Sequence, residues 1–200
     1  MKPAFALLAM LFLMPGCVRS LHPVYTNEDL TYDAAFLGSW TEPEGDRLEI
    51  TVGEDGTSYR ITFHEDRDKP AELVGHLARL DDRLIANLTV SEKSLPDSDM
   101  YKMHLLAAHS FYFVRIENKT IAMQTIRSDW LATYLKKNPT AITHDATQSN
   151  QDSVLLTAPT AEVRTFLAKI VNEPGALTEP IIWRPAPSPA TAPEKAEDAQ

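Results

Sequence analysis

Hydrophobic and polar positions alternate with a period of two through the first half of the chain. Leu48, Ile50 and Val52 alternate with Arg47, Glu49 and Thr51. After Gly53-Glu54-Asp55-Gly56, Tyr59, Ile61 and Phe63 alternate with Arg60, Thr62 and His64. Successive side chains of a strand point to opposite faces, so the two runs predict a hairpin with one apolar face. Residues 72–80 and 83–91 predict a second pair around Asp81-Asp82, with Leu84, Ala86, Leu88 and Val90 on its inner face. A loop rich in Ser, Pro and Asp follows over 91–100. Residues 103–117 are apolar on both faces, which suits a central strand covered on both sides. Asn118-Lys119 then turns the chain into a strand over 120–127.

The period changes near residue 128. Trp130, Leu131, Tyr134 and Leu135 recur at helical spacing, with Ser128 or Asp129 as the cap and Pro139 as the stop. Short strands are expected over 141–144 and 153–157. Val163, Phe166, Leu167, Ile170 and Val171 form the clearest apolar stripe, on a helix capped by Thr157 or Thr160 and ended by Pro174-Gly175. Arg164 falls on its predicted outer face. Residues 181–183 offer a final strand. Strands first and helices later predict an α+β fold. The expected form is a curved antiparallel sheet of about seven to eight strands, or a partly open barrel, with two helices in the C-terminal half.

The ends read differently. Residues 4–14, AFALLAMLFLM, are apolar and follow Lys2. Such a run spans about 16 Å as a helix, half the bilayer core of about 30 Å, so residues 1–16 read as a signal peptide rather than a membrane span. Residues 17–34 show little periodicity and read as a tether, leaving 35–183 as a single globular domain. Residues 184–200, RPAPSPATAPEKAEDAQ, have four prolines and no large apolar side chain, the composition of a disordered tail.

The chain has one cysteine, and Cys17 stands directly after the apolar core and Gly16. That placement resembles the lipobox of bacterial lipoproteins, with Met14 and Pro15 where Leu and a small residue are usual. The resemblance implies diacylglycerol on the Cys17 thiol, with a secretory signal and an incidental cysteine as the other reading. Val18 in place of Asp after the cysteine implies the outer membrane, with the domain facing the periplasm. Gly38-Ser39-Trp40 resembles the G-x-W of lipocalin-type barrels, in which the Trp plugs one end and a late Arg packs over it; Arg115 or Arg127 would take that part. A longer likeness runs through SLHPVYTNEDL, FLGSW, HLARLDDRL, HLLAAHSFYFVRI, DWLATYLKKNP and LLTAPTAEVRTFL. In these stretches the chain is similar to a group of uncharacterised bacterial lipoproteins, which implies a location and a fold but no chemistry.

Composition narrows the chemistry. Hydrophobic residues make up 44% and charged residues 24%, as in a globular protein. Lys and Arg total 19 against 28 Asp and Glu, a net −9 that disfavours phosphate backbones, so no nucleic-acid partner is expected. A lone cysteine excludes internal disulfides and multi-cysteine zinc sites. No G-x-S-x-G, G-x-G-x-x-G or G-x-x-x-x-G-K-[ST] occurs, so neither a serine elbow nor a nucleotide cofactor is expected. The histidines are His22, His64, His76, His104, His109 and His144. His104 and His109, five apart in the predicted strand, fall on opposite faces. His64 and His76 lie in different predicted strands and could be neighbours across a sheet only by register, so no metal site is expected. His109, among Phe111, Tyr112 and Phe113, is the candidate functional histidine, with Tyr112 and Trp40 beside it as candidate ligand residues. The sum is a lipid-anchored envelope protein, without enzymatic activity, that binds an envelope protein or a small apolar ligand. The rival readings are a hydrolase around His104, His109 and Tyr112, and a purely structural component.

Overall fold

A computed structural model describes residues 17–64, 70–150 and 152–187. The expected signal peptide, and the tail from residue 188 onward, lie outside these residues.

The strands are β1 (Cys17–Ser20), β2 (Leu30–Thr31), β3 (Gly38–Thr41), β4 (Arg47–Val52), β5 (Tyr59–His64), β6 (Ala71–Leu80), β7 (Arg83–Val90), β8 (His109–Glu117), β9 (Thr120–Gln124), β10 (Ser153–Leu156) and β11 (Ile181–Pro185). The helices are α1 (Asp99–Met103), α2 (Ser128–Lys137) and α3 (Thr160–Ile170). From β3 to β9 each strand pairs antiparallel with the next. β11 then enters between β9 and β3 and closes the ring. The result is a closed eight-stranded antiparallel barrel carrying three further strands and three helices. It is mostly β and more closed than the expected α+β sheet. The closing strand is short and arrives after two helices, so no local pattern announces its partners.

Two cores follow from the period-two alternation. Inward side chains, among them Trp40, Leu48, Ile50, Tyr59, Ile61, Leu77, Ala86, Val114, Ile121 and Trp183, fill the lumen. Outward Ile85, Phe111 and Phe113 pack instead against Leu131 and Leu135 of α2 and Val163, Phe166, Leu167 and Ile170 of α3. This double burial is why β8 reads as apolar on both faces. Gly75 keeps the lumen packed. A Cβ there would lie 2.6 Å from Ile61 Cδ1 and 3.2 Å from Leu88 Cδ2, so no larger residue fits without displacing its neighbours.

The two hairpins stand where the alternation puts them, with Val52 opposite Tyr59 and Leu80 opposite Arg83. The β6–β7 turn uses the left-handed region at Asp81 (φ 53°), and the β8–β9 turn does so at Asn118 and Lys119 (50° and 57°). Further expectations change. The strand expected over 141–144 is reduced to a single bridge between His144 and Leu156. The strand expected from residue 103 starts at His109, because 99–103 turn as α1. The segment expected as a tether is built into the fold: β1 pairs with β10 and β8, β2 pairs with β6, and Val18 and Val24 are buried. Arg184 and Pro185, expected in the tail, pair with Thr41 and Trp40. The helix caps are Arg127, in place of the expected Ser128 or Asp129, and Pro159, in place of the expected Thr157 or Thr160. Arg164, expected to face solvent, donates to Val24 O (3.0 Å), Asp29 Oδ1 (2.9 Å) and Arg79 O (3.2 Å) and pins the N-terminal segment down.

Candidate functional site

Ala34–Phe36 forms a 3-10 turn, started by Asp33 accepting from Ala35 N at 2.9 Å. Phe36 meets Tyr59 edge to face, at a centroid distance of 5.1 Å. The Trp40 indole N–H donates to Phe36 O (3.2 Å), and the Tyr59 hydroxyl accepts from Asp33 N (2.7 Å) while donating to Asp33 O (3.1 Å). Trp40 is thus a buried core residue with its polar edge satisfied. Arg115 pairs with Glu117 and Arg127 with Asp129, each at the surface.

Candidate residues expected to cluster are separated by the barrel wall. Tyr112 points inward with Val114 and packs on the lumen core, while Phe111 and Phe113 point outward. His109 shares the outward parity of Phe111. His104 lies in the preceding loop, where its Nδ1 sits 2.7 Å from Met100 O. The three residues of the expected hydrolase site are not brought together. His64 is opposite Arg47 and His76 opposite Asn87, so these two histidines are not cross-strand neighbours. Among the described residues, no group of three or more His, Cys, Asp or Glu is placed to hold a metal ion.

One concavity lies at the edge of the barrel, its lining running from Tyr59 and Leu73 of the lumen core to Val74, Thr89 and His109 of the outer face. Residues 91–107 leave β7 and fold back across β5–β7. Ser91 N donates to Glu72 O (3.1 Å), and Lys93 pairs with Glu54 of the β4–β5 turn. Beneath this segment lies a groove of about 840 Å³, lined in part by Val74, Thr89, Val90, Leu105, Leu106 and His109. Met100, Tyr101, Met103 and Leu106 of the roof are exposed, Leu106 at 83%. These large apolar side chains form an exposed apolar patch around the groove. The ionic rim holds Arg60 and Lys93 on Glu54, and Lys102 3.7 Å from Asp97.

A polar cluster lies beside the groove, between the outer face of β6–β8 and the N-terminal segment. Val24 N donates to Asn87 Oδ1 at 3.2 Å. With its oxygen engaged, Asn87 has only its NH₂ left for His109 Nδ1, 3.1 Å away. His109 therefore accepts at Nδ1 and carries its proton at Nε2. Burial, then the fields of His22 and His76, hold its pKa below the ordinary imidazole range. Burial also lowers that of His76, partly offset by Asp55. The His76 ring lies against Tyr25 (5.0 Å between centroids), and its Nδ1 is buried with no hydrogen-bond partner among the described residues. Burial raises the Tyr25 phenol, aided by Asp55.

Asn87, His76, His22 and Tyr25 were not legible as one site. Asn87 occupies an outward position between Ile85 and Thr89, where solvent is the ordinary expectation, yet it is wholly buried. The one available signal is a carboxamide amid the aliphatic run Leu84–Leu88 of β7. Comparison of the chain with protein-family models, with curated proteins and with solved structures found no match in any of the three.

Proposed function

We propose that this protein is a non-enzymatic binding module of the cell envelope, anchored by lipid on Cys17 to the outer membrane and facing the periplasm. Its ligand is a small apolar molecule held in the groove under residues 91–107. The observation that carries this reading is the groove itself. Its volume of about 840 Å³ is in the range of small-molecule sites. Its walls include Val74, Val90, Leu95, Leu105 and Leu106, and its roof displays apolar side chains that would be covered on closing over a ligand. The lumen, where a lipocalin-like protein would hold its ligand, is instead occupied by Trp40, Tyr59, Phe63 and Trp183. The separation of His104, His109 and Tyr112 supports binding over hydrolysis. An envelope-protein partner is the second reading, favoured by the outward direction of Met100, Met103 and Leu106.

Titration with the apolar fluorophore N-phenyl-1-naphthylamine tests the groove. Saturable binding is expected, weakened at least about tenfold by Val74→Trp, which fills the groove from the outer face of β6. Binding that does not saturate, or that ignores Val74→Trp, overturns the groove as the ligand site. The anchor is tested separately. Cys17→Ser should release the protein from washed membranes, because two or more acyl chains, each CH₂ contributing about 0.8 kcal/mol, are what make such anchoring stable. Retention after a high-salt wash would refute it.

A further inference from the structure

Residues 21–29 cross the outer face of β6–β8 as a strap, and its central attachment works only in one protonation state. Val24 N–H fixes the orientation of Asn87, and Asn87 in turn requires a lone pair on His109 Nδ1. A doubly protonated His109 would set N–H against N–H at 3.1 Å, so the Val24–Asn87–His109 chain cannot persist in that state. We propose that the strap is a proton-operated latch, closed while His109 is neutral and released when His109, and His76 near it, take up protons.

The surroundings favour that response. His22 comes from the strap itself and His76 from β6, and each would add positive charge near His109. His76 lies under Tyr25 of the strap, and its buried Nδ1 has no partner to receive a proton-bearing nitrogen. The opposing field is Asp55 of the β4–β5 turn, which acts on His76 and Tyr25. The groove wall adds Arg60, Lys93 and Lys102 against Glu54 and Glu92. Burial places His109 below the ordinary imidazole range, so the latch is shut at neutral pH and opens in acid. Arg164 holds the other side of Val24, through its carbonyl, and Asp29 further along. Release therefore frees the Val24 N–H side of the strap, while Arg164 keeps Val24 O and Asp29 attached to the fold.

Hydrogen exchange on the full-length protein in detergent tests the latch. Between pH 7.5 and 4.5, after correction for intrinsic exchange, the peptide covering residues 21–29 should lose protection, each proton taken up on opening raising the opening constant about tenfold per pH unit. α3 should remain protected. His109→Gln, which offers Asn87 a non-titrating acceptor, should abolish most of the step; His76→Gln should reduce it and serves if the first variant does not fold. Long-range proton–nitrogen spectra at neutral pH should show His109 as the Nε2–H tautomer. An absent step, a step unchanged in the variant, parallel loss of protection in α3, or the Nδ1–H tautomer overturns the proposal.

Discussion

The guanidinium of Arg164 lies 2.9 Å from the Asp29 carboxylate, joining residues 135 positions apart, and the pair is about four-fifths buried on both sides. Asp29 in turn accepts from Thr26 N (2.8 Å) and Thr26 Oγ1 (2.6 Å). Burial pushes its carboxyl upward, but the Thr26 hydrogen bonds and Arg164 together hold it below the usual range. One side chain of α3 therefore fastens both the strap and the end of β6, through Arg79 O.

Arg164→Ala should consequently cost about 1.5–3 kcal/mol, the range for hydrogen bonds to a charged group. A surface arginine would cost under about 0.5 kcal/mol. Urea denaturation midpoints decide between the two. A shift no larger than that of Lys169→Ala, on the exposed face of the same helix, would show that the clamp contributes nothing.

Phe166→Ala supplies the complementary case. Phe166 is 5% exposed and lies 6.1 Å from the Tyr134 ring, in the core between the barrel and its helices. Its removal leaves a cavity there and should cost roughly 3–5 kcal/mol. A loss below about 1 kcal/mol, read from the same denaturation curves, would mean that this outer core collapses around the gap.

The legible parts of the fold are those whose information is local. The alternation over 47–52 and 59–64 and the turn residues at 81 and 118–119 specify their own hairpins. The α3 stripe specifies its buried face but not what the flank of that face touches, which is why Arg164 reads as exposed. The segment from Val18 through the strap has no period, because it is held by single residues, Val18 and Val24, and by hydrogen bonds to distant strands. Of the candidate site, His109 was legible as an imidazole in an aromatic strand. Its partners were not: positions 22, 76, 87 and 109 converge only through the register that sets His76 opposite Asn87 and Ser20 opposite His109.

Chain truncation tests barrel closure. Ending the chain after Pro187 removes SPATAPEKAEDAQ, which offers no large apolar side chain, and should leave Tm within about 2 °C. Ending it after Trp183 also removes the pairing of Arg184 and Pro185 with β3, and the bond from Ala186 N to Ser39 O (2.8 Å). At about 1 kcal/mol per hydrogen bond, and about 2–4 °C per kcal/mol for a chain of this size, Tm should fall by roughly 4–10 °C. Equal melting temperatures for the two truncations would show that the last rung of β11 does not help to close the barrel.

Acid sensitivity should trace in part to Asp55. Its Oδ1 accepts from Ser58 Oγ (2.7 Å), Ser58 N (2.7 Å) and Thr57 N (2.9 Å), organising the turn between β4 and β5. Gly53 completes that turn, since a Cβ there would stand 2.1 Å from Ser58 Oγ. The Ser58 side chain and the backbone N–H groups favour the ionised form and hold the carboxyl far below its ordinary range. The unfolded chain therefore binds this proton at a higher pH than the folded one. The contribution is complete above the ordinary aspartate value of about 3.9 and is lost as pH falls below it. Asp55→Asn keeps an acceptor oxygen but removes the titration. The wild-type protein should lose stability steadily from about pH 4 toward pH 2, and the variant should be less stable at pH 7 with a flatter decline in that window. Parallel declines in chemical-denaturation series at fixed pH would move the acid sensitivity to other carboxylates, Asp29 first among them.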